Sequence, residues 1–183
     1  MALLCSPVTT STIVDDVSDE KFEEVYSPVD RTALLMNDGQ TFETVKCTNY
    51  QCALGKKSYS TGINRIRLKM HYGSAFIGIR SRHIQLEPSF ASLYHQSPST
   101  YGWFTIGSRI VDGYCGGHAI DVTKREDLLI ELIVNCDQHR LTIVMGDDNS
   151  PQRDEMEVDG LHAPFPWCLA VQISPIGVRI SLV

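Results

Sequence analysis

Between residues 65 and 72 polar and apolar residues alternate without a fault. Arg65, Arg67, Lys69 and His71 fall on one side, Ile66, Leu68, Met70 and Tyr72 on the other. A period of two marks a strand with one wet face and one core face. Ile66, Leu68, Met70 and Tyr72 are therefore predicted buried, and Arg65, Arg67 and Lys69 exposed. Gly73-Ser74 reads as a turn and 75–79 as a more deeply buried strand, which together predict a hairpin. A second hairpin is predicted from 128–135 and 140–144 across Cys136-Asp137-Gln138-His139. A third is predicted from 169–173 and 178–182 across Ser174-Pro175-Ile176-Gly177. Weaker strand patterns cover 32–37, 42–47 and 103–110. No long segment shows a 3.6-residue period. Many short strands separated by turn signals predict an all-β chain, folded as an antiparallel sandwich.

The two stretches that break this pattern are acidic. Residues 1–24 hold few large apolar side chains and read as a flexible acidic N-terminal tail, with a short helix at 20–25 capped by Ser18 or Asp19. The sandwich domain is then expected over 25–183. Residues 146–160 carry six acids, one Arg and Pro151, and read as a solvated loop. No internal repeat or second-domain boundary is visible, and 183 residues suit one domain.

Composition narrows the function classes. With 43% hydrophobic and 21% charged residues, the chain reads as an ordinary soluble globule. No stretch reaches the roughly 18 apolar residues of a membrane helix. The first seven residues are too short in apolar length, and lack the basic flank, for a secretory signal. A net charge of −6 disfavours general affinity for nucleic acid or anionic membrane. That charge is uneven, with seven basic and no acidic residues over 56–83. The cysteines at 5, 47, 52, 115, 136 and 168 are read as reduced thiols of a cytoplasmic protein, because Cys136 and Cys168 sit in or beside strand-like runs.

Candidate chemistry is sparse. Cys115-Gly116-Gly117-His118 offers a thiol and an imidazole, but adjacency in sequence does not build a nucleophile–base pair, and the glycines read as a turn. Cys47 and Cys52 make half a metal site without the other half. The row Arg65, Arg67, Lys69, His71 has no interleaved aromatics to stack bases, and reads as a wet face paired with acids across the sheet. Trp167 reads as core, and Trp103 as core or, as the alternative, interface. No catalysis, cofactor or metal is expected. The connection from Ile79 to Trp103 exceeds the ~12–15 residues beyond which irregular loops are usually functional or disordered. It carries Phe90, Tyr94, His95 and Tyr101, followed by Tyr114. Tyr94, His95, Tyr101 and Tyr114 are the interface candidates of this region.

Several segments together resemble the SPRY domain family. Leu54-Gly55-Lys56-Lys57-Ser58-Tyr59-Ser60-Thr61-Gly62 leads into the alternating strand, and Ile77-Gly78-Ile79 follows. Tyr101-Gly102-Trp103 is similar to the family's aromatic-Gly-Trp element. The hairpin over 128–144 and Pro164-Phe165-Pro166-Trp167 complete the order over 30–183. The chain departs from the family at Glu126-Asp127, where Gly-Asp is common, and at Leu141-Thr142-Ile143-Val144-Met145-Gly146, where an aromatic-rich strand ending in Asn-Gly is common. It reads as a divergent member of the tripartite-motif or a related type.

The resemblance implies a bent β-sandwich of two antiparallel sheets, of the concanavalin or jelly-roll kind. It also implies a protein–protein interaction module that recognises a peptide or loop of a partner, as the target-recognition part of a ubiquitin-ligase system. The strand after the aromatic-Gly-Trp element contributes to the family's binding surface, which adds Ile106, Ser108 and Arg109 to the candidates. The alternative is a carbohydrate-binding, lectin-like sandwich using Asp147-Asp148-Asn149 to hold calcium.

Overall fold

The computed structural model describes residues 14–17, 19–27, 32–45, 49–87, 93–121, 126–146, 151–173 and 177–183. They build two sheets packed face to face. Sheet A runs in the order β13 (Gln152–Glu157), β12 (Arg140–Met145), β11 (Leu128–Asn135), β6 (Ile63–Tyr72), β15 (Arg179–Leu182), β4 (Thr41–Thr44), β3 (Ala33–Met36). Sheet B runs in the order β10 (Tyr114–Asp121), β9 (Ile106–Val111), β8 (Thr100–Phe104), β7 (Ala75–Ser81), β14 (Trp167–Ile173), β5 (Gln51–Gly55), β2 (Phe22–Tyr26). All these pairs are antiparallel. The exception lies off the path, where β1 (Val14–Asp16) pairs in parallel with β6, Val14 opposite Ile63.

The register of β6 follows its alternation. Ile66, Leu68 and Met70 are fully buried, and Arg67 is exposed while Arg65 and Lys69 are partly so. Tyr72 is the exception: it is 37% exposed, because β6 ends there at the rim of the sandwich. The inward side chains of β11 (Leu128, Ile130, Leu132, Val134) and β12 (Leu141, Ile143, Met145) meet Ile77, Ile79, Trp167, Leu169 and Val171 of sheet B in one core. Trp103 and Trp167 both lie in that core, and the Trp167 indole donates to Ala163 O at 2.7 Å.

One expected hairpin forms, β11 with β12, Leu132 opposite Ile143. The other two do not. The turn at Gly73-Ser74 carries the chain from sheet A to sheet B, so β6 pairs with β11 and β15 while β7 pairs with β8 and β14. Strands β14 and β15 likewise sit in different sheets. Two apolar-faced strands joined by a short link satisfy the core equally well as a hairpin or as opposite walls, so period-two patterning does not separate the cases.

The acidic stretch expected as a loop contains β13, the edge strand of sheet A, whose Met156 points into the core. Asp147, Asp148 and Asn149 lie outside the described residues. At the other end, 20–25 is not helical. The described residues of the expected tail are built into the sandwich. Phe22, 2% exposed, packs on Phe42 with ring centroids 5.8 Å apart. Glu20, also buried, accepts from the backbone N–H of Lys21 and Lys57, both at 3.0 Å, and from the Tyr59 hydroxyl.

The basic row on β6 is neutralised locally. Arg65 and Arg67 each lie 3.5 Å from Glu131 on the neighbouring β11, and Lys69 and His71 lie 3.1 Å from Asp127. These are acids across the strand, as the wet-face reading expects.

Candidate partner-binding surface

Strands β8, β9 and β10 form a meander at one edge of sheet B. Alternation along β9 sends Ile106, Ser108 and Ile110 to the outer face, where Ile110 packs with Phe76 and Phe104. It sends Arg109 and Val111 to the inner side. There Asp154 of β13 ties the sheets together. It accepts from the Trp103 indole at 2.7 Å, from Arg109 Nε at 2.7 Å and from Arg109 Nη2. Burial works against the Asp154 charge, but the bonds from Arg109 and Trp103 outweigh it and hold the carboxyl below its usual range. Arg109 is thus spent largely on an inter-sheet clamp.

Residues 93–99 cross the outer face of sheet B rather than projecting into solvent. Tyr94 is 5% exposed and lies 6.2 Å from the Tyr26 ring. His95 is 7% exposed; its N–H donates to Gln172 Oε1 at 2.9 Å, and its Nδ1 lies 2.9 Å from Gln172 Nε2. Burial pushes the His95 imidazole below its ordinary pKa, against the bond to Gln172. The Phe104 ring stands edge-on to it at 4.6 Å. Tyr101 is buried in the main core, and burial, with Asp112 nearby, pushes its hydroxyl up to about 12. These three candidates hold the scaffold together, while Phe90 lies outside the described residues.

Tyr114 behaves differently. It is 77% exposed, beside Val111 at 43%. It lines a cleft of about 330 Å³ with Gln96, Pro98, Asp112, Gly113 and Cys115. The floor is set by the turn between β9 and β10. Asp112 Oδ1 accepts from Ser99 N–H at 2.7 Å, and Gly113 N–H donates to Thr100 O at 2.9 Å. A Cβ on Gly113 would stand 2.6 Å from Ser97 O, so only glycine lets the turn lie this close. His162 reaches Asp112 at 3.7 Å, which brings the 90% exposed Leu161 to the same end of the sandwich.

The structure therefore keeps Tyr114 of the candidates at the cleft. Ile106, 48% exposed, sits at the far end of β9, roughly 16 Å away at strand rise, with the half-buried Ser108 between. Gln96, Pro98, Asp112, Gly113 and Cys115, which also line the cleft, are not singled out as interface residues by the sequence, although all but Cys115 fall within the 82–114 stretch it points to. The available signal was Asp112-Gly113, a turn dipeptide between two β runs. Among the described residues no group of His, Cys, Asp and Glu is placed to hold a metal. Cys115 is exposed on β10; the side chain of His118 and all of Cys47 lie outside the described set.

No family model matches the sequence, and no curated protein matches it. Solved structures do match the fold. A crystal structure of the TRIM65 PSpry domain aligns over 92% of this chain and 91% of its own, with a TM-score of 0.70 and 13% identity. The human HERC1 SPRY domain aligns over 83% of this chain and 92% of its own, with a TM-score of 0.60 and 13% identity. Stonustoxin aligns over 83% of this chain but 25% of its own, with a TM-score of 0.64 and 12% identity. The chain has a SPRY-like fold, a sandwich of two essentially antiparallel sheets.

Proposed function

We propose that this SPRY-like sandwich is a protein-interaction module that takes a short segment of a partner protein at the β9–β10 end. The observation that carries the reading is Tyr114. A tyrosine 77% exposed, at the mouth of a cleft whose floor is fixed by backbone bonds, meets a partner with little loss of entropy. Val111 and Leu161 are further exposed apolar side chains at this end of the sandwich. Delivery of that partner to a ubiquitin ligase is the finer form of the proposal, with the catalytic component on another chain. No catalysis is proposed. A reducing compartment such as the cytoplasm fits the four described cysteines, Cys52, Cys115, Cys136 and Cys168, which are all free thiols. No helix among the described residues is long and apolar enough to cross a membrane.

The test is selection of binders from a displayed peptide library, followed by calorimetry. Tyr114→Ala should weaken the selected peptide by roughly thirtyfold, the scale of a hot-spot residue. Leu129→Ser, on the outer face of sheet A, should leave it unchanged. Loss of binding in the second variant but not the first would move the site to the other sheet.

A further inference from the structure

The outer face of sheet B has a second opening, of about 280 Å³, remote from Tyr114 in the sequence of elements that line it. Glu24 and Tyr26 of β2, Leu54 of β5, Arg80 of β7, and Arg82 and Leu86 beyond β7 form its walls. Alternation along β7 turns Arg80 outward, where the segment after β7 covers it to 1% exposure. Its Nε donates to Ser81 O at 3.3 Å and its Nη2 to Ile84 O, while its Nη1 has no partner among the described residues. Arg82 is also incomplete. Its Nη1 donates to Glu24 at 3.2 Å and its Nη2 to the carbonyls of Gly55, Lys56 and Lys57, but its buried Nε has no partner among the described residues.

The charges around Arg80 do not balance. Among the described residues Glu24 is the one carboxylate lining this pocket, and it is engaged by Arg82 and by the Tyr26 hydroxyl at 2.7 Å. Cys52 and Cys168 lie near the guanidinium, but burial pushes their thiols up to about 12 and about 11, so they stay neutral. Among the described residues two guanidiniums against one carboxylate leave one positive charge. A buried cation without a counter-ion is costly, and each unpaired buried N–H adds to the cost. A ligand with one negative charge and acceptor oxygens in a plane removes both costs, since a guanidinium fork matches a carboxylate.

We propose that this opening is a carboxylate-binding pocket, in which Arg80 and Arg82 hold one carboxylate of a ligand with a small apolar body. Leu54, Ile84 and Leu86 supply the apolar wall. The single excess positive charge favours a monoanion over a phosphate dianion. The carboxylate belongs to a free small acid or to the end of a peptide. This site is independent of the Tyr114 cleft.

The experiment follows the arginine Nε–H resonances of ¹⁵N-labelled protein during titration. The probes are N-acetylleucine, its neutral amide, inorganic phosphate and the longer N-acetyl-glycyl-glycyl-leucine. Saturable shifts at Arg80 and Arg82 are expected with N-acetylleucine, and at least about tenfold weaker binding of the amide and of phosphate. Equal affinity for the short and long acids assigns a free acid, and tighter binding of the long one a peptide end. Arg80→Met should keep or raise the melting temperature, because it removes an uncompensated charge, and should abolish binding. Should that variant fail to fold, the acid-against-amide comparison on the native chain decides alone. Absence of saturable shifts up to the solubility of N-acetylleucine, or an amide that binds as well as the acid, overturns the proposal.

Discussion

At the scale of single residues, exposure separates scaffold from site. Tyr94, His95 and Tyr101 all lie on a long irregular connection or at its end, which in sequence predicts solvent contact. The physical reason they are buried is legible elsewhere in the chain. Strands β7 and β14 are buried at every position, with Phe76 and Ala170 facing away from Ile77 and Val171. A strand buried on both faces needs a cover on its outer side, and residues 93–99 supply it with Tyr94 and His95, while Tyr101 belongs to β8 and fills the inner core. His95 makes this measurable. The fold keeps its imidazole neutral below the ordinary 6.5, so the unfolded chain takes up a proton that the folded chain refuses. Its contribution is complete above about pH 6.5 and is lost as pH falls from there toward the lowered native pKa. His95→Phe should flatten the fall of unfolding free energy between pH 7 and 5, by up to about 1.4 kcal/mol per pH unit relative to the parent. Identical pH slopes in urea denaturation would show that His95 ionises freely in the native state.

At the scale of elements, the signals that carried the family resemblance have a shared cause. Ile77-Gly78-Ile79 and Tyr101-Gly102-Trp103 lie on adjacent strands, with Gly78 opposite Gly102. A Cβ on Gly102 would stand 2.3 Å from Ile77 O and 2.6 Å from Gly78 Cα. The glycines let β7 and β8 approach while Ile77, Ile79, Tyr101 and Trp103 fill the core beside them. Gly102→Ala should cost about 3 kcal/mol or more in equilibrium unfolding, because backbone rather than a movable side chain must yield. Gly116→Ala, with nothing within 4 Å, should stay within about 0.5 kcal/mol. Equal midpoints for the two variants would refute the close-approach account. Strand existence and register at β6, β11 and β12 were legible because alternation runs long there. Partnership was not, since a turn such as Gly73-Ser74 looks alike whether the chain doubles back or changes sheet. Strand β13 was hidden by its charge, with Gln152, Arg153, Glu155 and Glu157 all exposed on an edge and Met156 and Asp154 alone facing inward.

At the scale of the whole molecule, the boundary expected at residue 24 cuts through sheet B. Deleting residues 1–24 removes β1, the Phe22 ring and the Glu20 carboxylate that binds the Lys57 N–H and the Tyr59 hydroxyl. The melting temperature should fall by roughly 10 °C, on the scale of losing one buried aromatic. An unchanged melting temperature by calorimetry would return these residues to the status of a free tail. The position of β15 bears on how the chain is made. Residues 179–182 lie between β6 and β4, in the middle of sheet A, although they are the last strand in chain order. During synthesis β4 and β6 are complete long before the strand that joins them exists. Until residues 179–182 leave the ribosome, sheet A is two separate pieces with facing edges unpaired, the kind of surface on which nascent chains aggregate and chaperones act. Closure of sheet A therefore waits for residues 179–182, and a ribosome that stalls before residue 179 releases a product with a split sheet.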